Sequence, residues 1–378
     1  MSVWDDVVGQ EAAVEVLRTA ASDPAAMTHA WLITGPPGSG RSNAARAFAA
    51  ALQCPEGGCG HCHTCATSLA GTHADVTVVA TEQVGIKIDE TRALVSLAQR
   101  APSGGRWRVI LIEDADRMAE RTSNVLLKAI EEPPPRTVWL LCAPSPQDVV
   151  VTIRSRARSV VLRVPPVEAV AALLVARDGV DPTVAGIAAR AAQSHIGIAR
   201  RLAVDPDARS RRAQVLAIPG AVRGVADAVL AAGRLVEVAQ AEAKAATEYR
   251  DAAEKTALLR ALGAEGAATL PPSLRAQVHQ LEKDQKSRAT RAQRDVLDRS
   301  MIDLLSLYRD VLVVQLGAQV ELVNTTLVDE VRTLAGASTS EQTLRRMDAI
   351  GQARTRLSGN VAPLLAMEAM TIALRPQG

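Results

Sequence analysis

A glycine-rich turn between an apolar segment and a helix constrains this chain more than any other feature. Residues 30–34 are apolar enough for a buried strand, and the chain continues as Gly35-Pro-Pro-Gly38-Ser-Gly40. Gly35 and Gly40 have the spacing of a phosphate loop. In such a loop the glycines allow backbone N–H groups to converge on phosphate oxygens, beside the positive N-terminus of the next helix. The pattern predicts an α/β nucleotide-binding fold.

Two departures weaken the prediction of a nucleotide-hydrolysing site. Arg41 stands where a phosphate loop has Lys, and its guanidinium is longer and planar, whereas an ammonium is a compact charge. Ser42 occupies the position of a Mg²⁺ ligand. Glu113 and Asp114 follow an apolar segment where two acids would hold metal and water, but their usual order is Asp then Glu. Two solvated acids at a strand end are the simpler alternative. We expect ATP or ADP binding to be weak or absent.

Four cysteines within twelve residues indicate a metal site: Cys54, Cys59, Cys62 and Cys65. Four thiolates at this spacing suit a tetrahedral structural Zn²⁺, and clustered thiols in a cytoplasmic protein favour metal over disulfides. His61 and His63 are possible substitute ligands. Unmetallated thiols on a loop are the alternative. Cys142 lies in an apolar segment and is predicted to be a buried strand residue.

Strand and helix patterns alternate first and then give way to helices alone. Domain 1–165 is predicted to hold a five-stranded parallel sheet with the zinc loop at 54–65, domain 166–208 three short helices, and domain 209–378 only helices. A charged helical hairpin is predicted at about 234–299, with a break at 263–272. The predicted strands are 30–34, 75–80, 107–112, 137–142 and 160–163. Helical spacing near the C-terminus predicts an apolar face made of Leu357, Val361, Leu364, Leu365 and Met370.

Composition limits the classes of partner. Aromatic residues make up 2% of the chain, so the core must be built from Ala, Leu, Val and Ile. The formal net charge is +2, from 43 basic and 41 acidic residues, which gives no overall field for nucleic acid. A zinc-containing nucleic-acid-binding module is therefore only an alternative. The sequence predicts a cytoplasmic protein without a membrane span.

An ordered set of motifs resembles the clamp-loader branch of the AAA+ family over nearly the whole chain. Each motif alone is unspecific, but the order in which the motifs occur along the chain is specific. The set comprises Val8-Gly9-Gln10, the His29-Ala30 strand into the phosphate loop, the cysteine loop, Asn124–Pro134, Arg154-Ser155-Arg156 and Asn360–Glu368.

The resemblance implies a RecA-like AAA+ domain, a small helical lid and a helical collar that joins five subunits. Such a complex loads a sliding clamp onto primed DNA at the replisome. The implied partners are the gamma/tau and delta subunits of a hetero-pentamer, and through them the clamp and DNA. An arginine finger in trans is implied for Arg156, although Ala157 stands where the family has Cys. From the residues alone, an arginine here is either a surface charge, which is the usual case for a single Arg, or a finger that stabilises a phosphate on an adjoining subunit.

The departures from the family's hydrolysing subunits favour a noncatalytic stator. They are Arg41, the Glu113-Asp114 order, and Ala143-Pro144-Ser145 in place of a Thr-rich sensor. The lid sensor arginine aligns with Gly197, or with Arg200 if the register shifts. An ATP-hydrolysing subunit of the gamma/tau type is the competing interpretation.

Overall fold

The computed structural model describes residues 2–80, 86–261 and 272–376. The chain divides into two compact units, Met1–Val204 and Asp205–Gly378. Among the described residues, no helix has both the length and the apolar character needed to cross a membrane.

The first unit is built on a sheet of five parallel strands: β1 Ala30–Thr34, β2 Val76–Val79, β3 Arg108–Ile112, β4 Thr137–Ala143 and β5 Arg158–Val161. Their order in the sheet is β2-β3-β4-β1-β5. This confirms the predicted five-stranded parallel sheet. The fifth strand was placed at 160–163 but begins at Arg158, because β5 is an edge strand whose first two residues are polar and exposed.

Nine α-helices belong to the described part of this unit. They are α1 Glu11–Ser22, α2 Arg41–Gln53, α3 His63–Ala70, α4 Ile88–Ala98, α5 Glu120–Glu131, α6 Val151–Arg154, α7 Val167–Asp178, α8 Pro182–Ala191 and α9 Ile196–Val204. Some of them, such as α2 and α5, cover the two faces of the sheet. Trp31 and Ile33 of β1 pack with Phe48 of α2 on one face, whereas the intervening Leu32 packs with Leu126 of α5 on the other. Alternate strand residues point to opposite faces, so both faces of β1 are apolar and the sheet is doubly wound.

The second unit is all helical in its described residues. Its helices are α10 Pro206–Leu216, α11 Ile218–Ala221, α12 Val225–Ala261, α13 Pro272–Gln315, α14 Val328–Gly336, α15 Ser340–Ser358 and α16 Pro363–Ala373. Ion pairs Lys255–Glu282 at 2.8 Å and Arg299–Glu242 at 3.2 Å join α12 and α13 side by side and antiparallel. The predicted hairpin is therefore present and longer than 234–299. Its predicted break lies outside the described residues, except for Pro272, where α13 begins.

The predicted apolar face near the C-terminus is wrong in part. Leu357 belongs to α15, and Val361 lies before α16 begins at Pro363. Leu357 and Met370 are buried in the core of the unit, whereas Leu364 and Leu365 of α16 are exposed. Asn360, at positive φ, turns the chain between the two helices, so the five residues do not form one stripe.

Candidate functional site: a phosphate loop and a cysteine cluster

The phosphate loop has the backbone that its glycines predict. It follows β1 and leads into α2, so it lies at the carboxyl end of a central strand. Gly38 and Gly40 have φ of +86° and +89°, in the left-handed region that side chains disfavour. Gly35 is confined by space instead, because a Cβ there would lie 2.7 Å from Ser39 Oγ. The glycines therefore stand where a side chain would be strained or would clash, and the loop leads into the N-terminus of α2.

Arg41 is bound by the loop itself. Its Nη1 donates to the carbonyl oxygen of Gly35 at 2.5 Å, which fastens the last residues of the loop to the first. Cys142 of β4 lies beneath, with its thiol donating to the Arg41 carbonyl oxygen at 3.8 Å. Burial raises the pKa of the Cys142 thiol, so it stays protonated. This confirms Cys142 as a buried strand residue.

The first acid of the inverted pair has a partner within the protein. Glu113 Oε1 accepts from Arg46 Nε of α2 at 2.9 Å, and Arg46 Nη1 donates to the Leu69 carbonyl oxygen at 3.0 Å. The pair is largely shielded, with side chains 16% and 27% exposed. Asp114 lies next in the chain, with Oδ1 3.9 Å from Arg117 Nε. A metal ion at Glu113 would have to compete with Arg46.

The turn between α8 and α9 packs against the phosphate loop, and sequence analysis did not predict this contact. Between α8 and α9, Gln193 and Ser194 have φ of 49° and 64°, unusual for residues with side chains. They bring His195 so close that a Cβ on Gly38 would lie 2.5 Å from His195 Cγ and 2.6 Å from its Cα. Gly38 is therefore required by this contact as well as by its own backbone. No periodicity in the sequence signals a contact across 157 residues.

Gln10 joins the loop to the end of the sheet. Its Nε2 donates to the carbonyl oxygens of Ser39 and Arg163 at 3.3 and 2.7 Å, and its Oε1 accepts from Arg163 N at 3.0 Å. At Gly9, φ is +67° and a Cβ would lie 2.9 Å from Pro166 Cδ. The Gly9-Gln10 motif thus supports the loop structurally.

The alternative sensor arginine is turned to a neighbouring helix. Arg200 Nε of α9 donates to Asp178 Oδ1 of α7 at 2.9 Å, and the Arg200 side chain is 58% exposed. Gly197 lies beside the His195 ring: a Cβ added to Gly197 would be 3.5 Å from His195 Cε1. Neither position presents a cation to the phosphate loop in this structure.

The four cysteines converge as predicted. Cys54 ends α2 and Cys62 is the N-cap of α3. The sulfur of Cys54 lies 3.8 Å from that of Cys59 and 3.9 Å from that of Cys62, and Cys59 lies 4.0 Å from Cys65. A tetrahedral zinc with Zn–S bonds of about 2.3 Å requires sulfurs about 3.8 Å apart. The donor set therefore fits Zn²⁺, which would cross-link α2 and α3.

The electrostatic surroundings differ between the two buried cysteines, because burial raises the pKa of Cys65, whereas backbone N–H groups lower that of Cys54. Burial opposes ionisation of Cys54, but N–H groups of Cys59, Gly58 and Glu56 outweigh it and lower its pKa to about 6. Metal binding requires thiolates. His61 and His63 are both exposed, and the four sulfurs converge without either ring.

Turns between the cysteines use glycine at Gly57, Gly58 and Gly60, all with positive φ. At Gly58 a Cβ would also lie 2.6 Å from Val3 Cγ2, and Val3 N donates to the Gly58 carbonyl oxygen at 3.1 Å. The start of the chain therefore packs on the cysteine loop.

Arg156 makes contacts within its own chain that sequence analysis missed. Its Nε and Nη2 both lie 2.5 Å from Glu131 Oε1 at the end of α5. Its Nη1 donates to the Thr152 carbonyl oxygen at 2.7 Å and to Ser155 Oγ at 3.2 Å. The Arg156 side chain is nevertheless 37% exposed, so the guanidinium is held at the surface.

Comparisons with known proteins concern mainly the first unit. The family described as "DNA polymerase III, delta subunit" matches residues 9–166. The "DNA polymerase III subunit delta'" of Pseudomonas aeruginosa is 41% identical over 135 residues, 34% of this chain and 41% of that protein. The "DNA polymerase III subunit gamma/tau" of Mycobacterium bovis is 33% identical over 174 residues, 45% of this chain and 30% of that protein.

A solved structure of a DNA polymerase III gamma subunit-related protein from Thermotoga maritima aligns with 95% of this chain and 98% of its own, at 14% identity and a TM-score of 0.42. The chain spans less than half the length of the two curated relatives. Over residues 9–166 the chain is therefore similar in sequence to delta and gamma/tau subunits of DNA polymerase III.

Proposed function

We propose that this chain is the noncatalytic, delta-prime-type stator of a bacterial replicative clamp loader. It would join gamma/tau and delta subunits in a hetero-pentamer in the cytoplasm, and through that complex contact the sliding clamp and primed DNA. The second unit would be the shared collar, and helices α7 to α9 the lid. In this role the chain supplies structure to the ring, while its neighbours hydrolyse ATP.

The state of the phosphate loop supports this proposal most directly. Arg41 is bonded to Gly35, and Glu113 is paired with Arg46, so the groups that would hold phosphate and metal bind other parts of the protein. His195 packs against Gly38 at the same loop. Binding a nucleoside triphosphate and Mg²⁺ would have to exchange these contacts, and we expect the isolated chain to bind nucleotide weakly or not at all.

Arg156 is proposed to act in trans as an arginine finger. Its guanidinium is exposed and follows α6, between β4 and β5. Because arginine fingers contribute about 10³–10⁵ in rate in GTPases, Arg156→Ala should strongly depress the DNA- and clamp-stimulated ATPase of the reconstituted complex. Lys should rescue poorly, since it lacks the planar fork.

The matched control for Arg156 is Arg154→Ala. Arg154 donates a long bond of 3.4 Å to the Pro146 carbonyl oxygen, whereas Arg158 donates to Ala26 O at 2.8 Å and lies over the Trp31 ring. Arg158 is therefore a structural residue and a poorer control. If the Arg156→Ala complex hydrolyses ATP and loads clamps at the unmodified rate, Arg156 is a surface charge.

An ATP-hydrolysing subunit of the gamma/tau type is the second candidate. The similarity to gamma/tau over 174 residues favours it. It requires Arg41 to leave Gly35 and take the role of the usual Lys. Robust ATP turnover by the purified chain, abolished by Ser42→Ala, would establish it. The zinc-containing nucleic-acid module instead predicts DNA binding by the isolated chain with a steep salt dependence.

A further inference from the structure

We propose that Glu131 is the positioning residue for Arg156: it holds one edge of the guanidinium so that the other edge can meet a phosphate on a neighbouring subunit. The inference rests on the proposed arginine finger and adds a second residue to it. Glu131 is the last residue of α5, and Thr152 lies in α6. The side chain of Arg156 is thus held between two helices.

The two edges of the guanidinium are engaged differently. Nε and Nη2, the side edge, both lie 2.5 Å from a single oxygen, Glu131 Oε1. On the other side, Nη1 donates to Thr152 O at 2.7 Å and to Ser155 Oγ at 3.2 Å. A guanidinium has five N–H groups, so these four contacts leave one N–H of Nη2 at the end edge.

A phosphate can therefore bind the end edge without removing Glu131. It would displace the longer bond to Ser155 Oγ and accept from Nη1 and Nη2 as a fork. The hydrogen bond to Thr152 and the ion pair with Glu131 would remain, so the guanidinium would keep its orientation during the exchange. Holding a reacting group in its productive orientation is a recognised source of rate acceleration.

Folding stability does not account for this pair. The side chains of Arg156 and Glu131 are 37% and 43% exposed, and ion pairs at such exposure contribute little to stability. A negative charge beside the finger would also weaken its attraction for phosphate, so an acid at this position needs a compensating role. Orientation of the guanidinium supplies that role.

The test uses the full-length chain reconstituted with its ATP-hydrolysing partner subunits, clamp and primed DNA. Glu131→Gln should lower kcat for ATP roughly tenfold with KM unchanged, because part of the finger's 10³–10⁵ contribution depends on orientation. Glu132→Gln is the control, since Glu132 is the adjacent exposed acid. Adding Glu131→Gln to Arg156→Ala should cause no further loss, because both act through one guanidinium.

Each outcome separates this inference from the proposed function. If Arg156→Ala is as active as the unmodified complex, the finger and the inference both fail. If Arg156→Ala is slow but Glu131→Gln is unchanged, the finger stands and the positioning role is overturned. An additional loss in the double variant also overturns it. Size-exclusion chromatography verifies assembly, and if Glu131→Gln fails to assemble, Glu131→Asp should show an intermediate kcat.

Discussion

Asp75 offers the sharpest test of how the first unit is stabilised. Its carboxylate is fully buried and accepts from the N–H groups of Ser103, Gly104 and Gly105 at 2.7, 2.9 and 2.5 Å. Arg108 Nη2 lies 3.0 Å from Asp75 Oδ1, with the Arg108 side chain only 5% exposed. Asp75→Asn would leave this guanidinium buried without its counter-charge and would place an amide N–H₂ among N–H donors.

Breaking a buried ion pair by removing one partner costs about 3–5 kcal/mol. With a urea dependence of about 2 kcal/mol per M, the unfolding midpoint should fall by roughly 2 M. All four tryptophans lie in the first unit, so intrinsic tryptophan fluorescence follows the unfolding of that unit alone. Asp89→Asn is the control, because the Asp89 side chain is 86% exposed. A midpoint shift below about 0.5 M for Asp75→Asn would refute the reasoning.

The Asp75 carboxylate should also make the free energy of unfolding of the first unit depend on pH, with stability lost at acidic pH. Burial alone would raise the pKa of Asp75, but the N–H groups of Ser103, Gly104 and Gly105 outweigh it and lower that pKa to about 2 from 3.8. A folded-state pKa below the unfolded value gives stability that is present above about pH 4 and is lost as the pH falls toward 2. The free energy of unfolding should lose about 2 kcal/mol over that range in the unmodified protein, and this component should be absent in Asp75→Asn.

Three further predictions concern metal, nucleotide and assembly. Protein purified without chelator should contain one zinc per chain, and Cys59→Ser should abolish it and loosen residues 53–66 while the sheet stays folded; metal analysis without zinc contradicts the site. The isolated chain should hydrolyse ATP no faster than background, measured by phosphate release, because Arg41 and Glu113 are engaged elsewhere. Leu364→Glu should weaken assembly with partner subunits, because Leu364 is an apolar side chain that is 42% exposed on α16 and would be covered in the collar. Unchanged affinity in a pull-down would contradict the collar assignment.

The sheet could be predicted because most of its strands are short runs of consecutive, mainly apolar residues. Residues 30–34 of β1 are buried along their whole length, and Gly71 caps the C-terminus of α3. At the edge of the sheet the prediction was less accurate. Residues 158–159 are polar and exposed, so apolar runs could not mark the start of β5.

In the candidate site, the sequence predicted residues but not their partners. The four cysteines converge because their ligand spacing is encoded over only twelve residues. By contrast, Arg46 meets Glu113, and Arg156 meets Glu131, across 67 and 25 residues. Such pairs depend on how helices pack in the folded chain. Arg46 belongs to no motif, and the motif 124–134 that contains Glu131 does not indicate the partner of that residue. The His195 turn at Gly38 depends in the same way on long-range packing.

The position of β1 in the sheet has a consequence for synthesis of the chain. Among the described strands, β1 pairs with β4 and β5, in registers such as Ala30 with Trp139 and Ile33 with Val160. Ribosomes deliver the N-terminal residues first, at about 5–20 residues per second. The apolar strand that carries the phosphate loop must therefore wait about 5–25 seconds for the residues that pair with it. During that interval a strand with four consecutive apolar residues, 30–33, lacks its partner strands and is exposed to aggregation and to chaperones. A nascent chain arrested before residue 137 would lack the neighbours that hold the loop in shape.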